Sequence, residues 1–164
     1  MNLILWRHAD AERGGRDKER RLTAKGRKQA RRIAAWLRKK LPSEVTVLTS
    51  PARRAVETAS ALTDDFKTNP QLDTDASASE VLTAAGWPDG AGAVVVVGHQ
   101  PTLGRAAALI LTGAESDWKF KKSAIWWFEQ DEDEEDGVFR LDDQVEDVDE
   151  DDAEYLLDNE DEED

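Results

Sequence analysis

The chain contains two histidines, His8 and His99, and no cysteine. His8 follows Arg7 at the end of the apolar run Leu3-Ile-Leu-Trp6, and His99 follows the β-branched run Ala93 to Val97 across Gly98. Further arginines stand in comparable places: Arg20 and Arg21 in the charged stretch after the first run, Arg53 and Arg54 after Val45 to Thr49. A neutral imidazole can attack phosphorus and carry a covalent phosphoryl group. A guanidinium presents a planar fork that matches phosphate oxygens and stabilises their charge as the bond breaks. A second histidine can donate a further hydrogen bond to the same oxygens. The combination points to phosphoryl transfer through a histidine, with no cofactor. It also argues against a bound metal, because two histidines without cysteine, and with arginine as neighbour, would set a cation among cations.

These residue types have ordinary uses as well. A lone histidine after a strand is commonly structural, and arginines commonly form a solvated face. Arg13, Arg16, Arg31, Arg32 and Arg38 are read that way.

The strands and helices that carry the remaining residues are legible in outline. Leu3 to Trp6 reads as a buried strand, residues 10–21 as a charged, Gly-containing loop, and Thr23 as the N-cap of a helix. Ala30, Ile33, Ala34, Leu37 and Leu41 recur at helical spacing on one face of that helix. Val45 to Thr49 is the second strand, and Ser50-Pro51 opens a helix to about Leu62. Residues 63–76 read as a loop with a short extended piece at Leu72. Ser77 to Ala85 is a helix ended by Gly86. Ala93 to Val97 has the unbroken apolar character of a strand buried on both faces. Gly98 to Pro101 is a tight turn, Thr102 to Leu111 a helix, and Ser123 to Phe128 a strand, with Gly137 to Leu141 pairing with it through the acidic loop 129–136. Strands alternating with helices imply an α/β fold, a mainly parallel sheet flanked by helices on both faces. In such sheets ligands bind at the carboxyl ends of the strands, where Arg7, His8, Ser50 to Arg54 and His99 all stand.

Composition bounds the rest. The 164 residues fit one domain with an extension. Without cysteine there is no disulfide, thiolate metal site or cysteine nucleophile. Leu3 to Trp6 is too short for a signal peptide or a membrane span, so a cytoplasmic protein with no membrane association is expected. The net charge of −14 divides unevenly: residues 129–164 hold 22 acidic residues and one basic residue, Arg140, and the remaining 128 residues carry +7. So acidic a chain repels phosphate backbones, so no nucleic-acid partner is expected. Residues 142–164 contain 15 acidic residues and few large apolar groups, and are expected to be disordered. That leaves residues 1–141 as the domain and 142–164 as an acidic tail, either a solubilising extension or a pseudo-substrate that competes for the basic pocket.

Five ordered segments resemble one family. Trp6-Arg7-His8-Ala9-Asp10-Ala11 is similar to the RHG-type signature of the histidine phosphatase superfamily. Asp17 to Ala30, DKERRLTAKGRKQA, resembles the D-x-x-R-x-L-T-x-x-G-x-x-Q-A stretch of its small SixA-like phosphohistidine phosphatases. Ser50 to Ala59, SPARRAVETA, resembles the S-P-x-x-R-A-x-x-T-A segment, and Gly98-His99-Gln100-Pro101 the G-H-x-P turn. Phe120 to Ala124 resembles the approach to a late strand in the same group. The likeness spans residue 2 to about 128.

The resemblance implies a phosphoglycerate mutase-like fold and a nucleophilic His8 that becomes phosphorylated. It makes Arg7 and Arg54 phosphate clamps, His99 the second histidine of the phosphate pocket, and Arg20, with Arg21 as the neighbouring alternative, a further phosphate ligand. Ala9 replaces the usual Gly. Larger members carry a glutamate that protonates an alkoxide leaving group; the corresponding region, Pro70 to Ser77, has none, and Asp73 and Asp75 are its candidates. Imidazole leaves more readily than alkoxide, which favours phosphohistidine over phosphomonoesters. The expected protein is a metal-independent monomeric phosphatase whose partner is a phosphorylated protein or a small phospho-compound. The alternatives are a phosphatase of small phosphomonoesters and a non-catalytic phospho-ligand or protein-binding module.

Overall fold

A computed structural model describes residues 1–130 and 139–145 of the chain. The elements are β1 (Asn2–Arg7), α1 (Ala24–Lys40), β2 (Val45–Thr49), α2 (Arg53–Leu62), β3 (Lys67–Thr68), α3 (Ala78–Ala85), β4 (Ala93–Gly98), α4 (Thr102–Thr112), β5 (Ile125–Gln130) and β6 (Phe139–Val145), with single 3-10 turns at Asp17–Glu19 and Pro70–Leu72. The strands form one mixed sheet in the order β3-β2-β4-β1-β5-β6. β3, β2, β4 and β1 are mutually parallel, and β5 runs antiparallel to both β1 and β6.

The two-residue period of a strand sends alternate side chains to opposite faces, and both faces of the central strands are covered. Ile4 and Trp6 of β1 and Val95 and Val97 of β4 pack with Ile33 and Leu37 of α1 and Ala55 and Ala59 of α2. Leu3, Leu5, Val94 and Val96 pack on the other side with Val81 of α3 and Leu103 and Ala106 of α4. Every residue of β4 is buried, which is why its sequence is continuously apolar rather than alternating.

Caps set the helix starts. The Thr23 hydroxyl accepts the Gly26 N–H at the head of α1. Ser77 and Glu80 form a reciprocal capping box at α3, which Gly86 ends in the left-handed conformation.

Three boundaries differ from the sequence expectation. α2 begins at Arg53 rather than at Pro51, because the Ser50 hydroxyl takes the Ala52 N–H and Ala52 stays extended. The short extended piece is Lys67–Thr68, drawn onto the edge of β2, whereas Leu72 closes a 3-10 turn. β6 runs on to Val145 and pairs with β5 along its length, so the expected domain boundary at Leu141 falls inside a strand. A ladder is built from backbone groups, and a charged sequence is compatible with a sheet edge. The acidic loop and the remainder of the tail lie outside the described residues. Among the described residues, no helix is long and apolar enough to cross a membrane.

Candidate active site

The register of the central strands builds the site. β1 pairs with β4 so that Arg7 stands opposite Gly98, and the next residue of each strand is a histidine. His8 and His99 therefore leave the sheet side by side, with ring centroids 5.2 Å apart. β2 pairs with β4 so that Thr49 stands opposite Val97, which brings Ser50 to the same edge. The His8 N–H donates to the Gly98 carbonyl and the Ser50 N–H to that of Val97, extending the ladder by one residue into the site. The two histidines are 8% and 4% exposed.

His8 is held in one tautomer. Its Nδ1 lies 2.8 Å from the Ala9 carbonyl oxygen; a carbonyl can only accept, so Nδ1 carries the proton and the lone pair is on Nε2. Arg54 Nε donates to that Nε2 at 3.3 Å. Burial pushes the His8 pKa down to about 3; the Ala9 bond opposes the shift, and the nearby His99, Arg54 and Arg7 reinforce it. Burial likewise takes His99 down to about 4, helped by Arg54 and opposed by Asp73 and Asp17. Both imidazoles are neutral at neutral pH. His99 Nε2 is 2.7 Å from the Ser50 hydroxyl, and its Nδ1 is buried without a protein partner.

Three arginines converge on the same edge from different elements. Arg7, the last residue of β1, donates from Nη1 to the Phe120 carbonyl at 2.7 Å; its Nε is buried and unpartnered, and burial lowers its pKa. Arg54 comes from the first turn of α2 and is 5% exposed. It donates from Nη1 to the Asp17 carbonyl at 2.7 Å and from Nη2 to the Asp17 carboxylate at 3.3 Å. Arg20 reaches the same carboxylate through Nε and Nη2, at 3.2 and 3.0 Å. Arg21 instead pairs with Glu12 at 3.1 Å and does not line the pocket. Of the two neighbouring arginines, the structure brings Arg20 to the site.

The pocket they enclose has a volume of about 230 Å³. Its lining adds Arg13, Lys122, Ala11, Thr74 and Gln100 to Arg7, His8, Arg20, Arg54 and His99, which makes five cationic side chains and no carboxylate. Asp73, a sequence candidate for an acid, is bonded to Lys18 at 2.8 Å and lies outside the lining; Asp75 is exposed and also outside it. The loop contributes Thr74 instead. Among the described residues, no group of three or more His, Asp or Glu side chains is placed to hold a metal ion.

Sequence reasoning passes over several of these residues. Arg13 reads as surface, yet it lines the pocket. Gln100 donates to the Trp118 carbonyl and accepts from Gly104 N–H, both at 2.8 Å. Lys122 is fixed 2.7 Å from Asp10. Ser123 adopts φ 62, which a non-glycine residue rarely does. It is held there by its N–H on the His8 carbonyl and by Trp6 Nε1, 3.2 Å from its own oxygens. The stretch 118–124 packs through Phe120, stacked on Trp126 at 4.7 Å. It thereby carries the carbonyl that orients Arg7. Its contribution is largely through the backbone, which side-chain types do not reveal; the only sequence signal was the likeness of Phe120 to Ala124 to a family segment.

Residues 3–81 match the model of the histidine phosphatase superfamily, branch 1. Solved structures add to this. The protein histidine phosphatase SixA complexed with tungstate shares 28% identity and a TM-score of 0.75, over 89% of this chain and 97% of that one. A phosphohistidine phosphatase SixA from Agrobacterium tumefaciens, so described provisionally, shares 26% identity and a TM-score of 0.70, over 88% and 96%. A similarly described protein from Nakamurella multipartitia shares 27% identity and a TM-score of 0.66, over 77% and 83%. Comparison with curated protein sequences gives no match.

Proposed function

The chain belongs to the histidine phosphatase superfamily, and we propose that it is a metal-independent phosphatase acting on phosphohistidine through a phosphorylated His8. The observation that carries this reading is the pairing of an anchored, neutral His8, lone pair on Nε2, with a lining of five cations and no carboxylate.

In the proposed cycle His8 Nε2 attacks phosphorus, and the bond to the leaving imidazole breaks as the new P–N bond forms. Arg7, Arg20 and Arg54 hold the non-bridging oxygens, and His99 supplies a further hydrogen bond. Water then attacks phospho-His8, releasing phosphate and restoring the imidazole. Fixed cations around the buried histidines stabilise the developing charge without reorganising, which is where most of the rate gain is expected. The leaving group decides the substrate class. An alkoxide needs a proton from a positioned acid, and the lining offers no carboxylate for it. A departing imidazole is a far better leaving group and can take its proton from solvent. The tungstate held by the SixA relative is a phosphate-like oxyanion, and this cationic pocket suits one too.

The test is a substrate panel with EDTA present. A phosphohistidine peptide should be turned over at least about tenfold faster, by kcat/KM, than phosphoserine peptides or sugar phosphates, and EDTA should leave the rate unchanged. Preference for a phosphomonoester would overturn the substrate class; inactivation by EDTA reversed by a divalent cation would overturn the mechanism.

A further inference from the structure

We infer that Asp17 is a positioning residue for the phosphoryl-binding arginines, an inference that rests on the phosphatase reading of the pocket. Asp17 opens the 3-10 turn Asp17–Glu19. One of its carboxylate oxygens receives two bonds from Arg20 and the other receives Arg54 Nη2, while its main-chain carbonyl receives Arg54 Nη1. A single residue thus ties together two guanidinium groups that arrive from different elements. Asp17 itself does not line the pocket, and its bonds leave further N–H donors on both guanidinium groups for an oxyanion. With Nη1 and Nη2 fixed, the planar guanidinium of Arg54 has little freedom left, and its Nε is aimed at His8 Nε2. The turn is braced on its far side as well, by Lys18 on Asp73 at 2.8 Å, next to the pocket residue Thr74.

Two effects of the carboxylate compete. Its negative charge opposes an incoming oxyanion, while its hydrogen bonds fix the donors that receive one. The side chain is 58% exposed, so its field in the pocket is screened by solvent. Its bonds to Arg54, which is 6% exposed at the side chain, act on a group with few other restraints. Geometry therefore outweighs charge, and losing Asp17 weakens oxyanion binding although it removes a negative group.

The experiment is a double-mutant cycle of Asp17→Ala with Arg54→Ala, read by calorimetric titration with tungstate and by kcat on phosphoramidate. Asp17→Ala alone should weaken tungstate and lower kcat by about tenfold each, and Asp17→Asn, which keeps one acceptor oxygen, should recover part of both. In the Arg54→Ala background the same substitution should cost no more than about threefold in each quantity, because only the hold on Arg20 is then left to lose and partners in one network are not additive. Tighter tungstate binding in Asp17→Ala, an unchanged affinity, or a full tenfold loss in both backgrounds would each overturn the role. If the unsubstituted protein binds tungstate but turns over no phosphoramidate, the phosphatase reading fails while the tungstate cycle still decides the role of Asp17.

Discussion

Arg54 Nε lies 3.3 Å from Nε2 of His8, so a guanidinium already stands beside the one imidazole atom that carries a lone pair. The contact joins the first turn of α2 to the end of β1, 46 residues apart in the chain. It makes the reactivity of His8 and the placement of Arg54 a single geometric problem.

His8→Ala should abolish turnover, by at least about 10³-fold, as removal of a nucleophile does elsewhere. Rapid quenching of the unsubstituted protein with a labelled phosphoryl donor should leave an acid-labile, base-stable label on His8. Activity retained in the variant would remove the covalent mechanism.

Arg7→Ala and Arg54→Ala should each lower kcat by about 10²-fold, the usual cost of losing a preorganised donor to a developing anion. Lysine at either position should restore only part, because a point charge lacks the fork. For Arg7 the loss should fall mainly on kcat, since its Nη1 is already committed to the Phe120 carbonyl. A loss below threefold for either alanine variant would reduce that residue to a packing role.

The histidines predict a specific acid sensitivity. Both pKa values fall on folding, from 6.5 to about 3 for His8 and about 4 for His99. Below pH 6.5 the unfolded chain therefore binds protons that the folded chain refuses. Stability contributed by the neutral rings is present above pH 6.5 and is lost as the pH falls towards the folded values. Between pH 6.5 and 5 the loss is about 1.5 kcal/mol per histidine. Urea unfolding at these two pH values should show the decline, and His8→Asn with His99→Asn should flatten it. An equal decline in the double variant would assign it to other groups.

Gly26→Ala should destabilise the protein by roughly 1–3 kcal/mol, the range for overpacking a close contact. A Cβ there would run into the Asp10 carbonyl, the same group that accepts the Thr23 N–H at 3.0 Å. The first turn of α1 is thus seated on the loop that follows His8. A thermal scan should show a fall of several degrees in Tm, and kcat should fall with it as the loop shifts. An unchanged Tm would mean that α1 can move off the loop at no cost.

Local patterning is enough to set the elements and the chemical character of the residues at the strand ends. The apolar runs at β1, β2 and β4 and the helical period of α1 follow from local patterning, and the parallel α/β order follows from their alternation. Histidine and arginine at strand ends could be read as phosphoryl chemistry because few residue types perform it. What local patterning left open was decided by pairing. The register of β1 on β4 makes neighbours of His8 and His99, 91 positions apart. The turn at Asp17 selects Arg20 over Arg21, which differ by one place in sequence but point to different partners. The same holds for Arg13, which lines the pocket from a stretch that reads as surface, and for Asp73, which bonds Lys18 and lies outside the lining. β6 runs past its expected end because β5 offers an unpaired edge, and hydrogen bonds between main chains take little notice of acidic side chains. The sequence specifies which groups are available; long-range packing specifies which of them face one another.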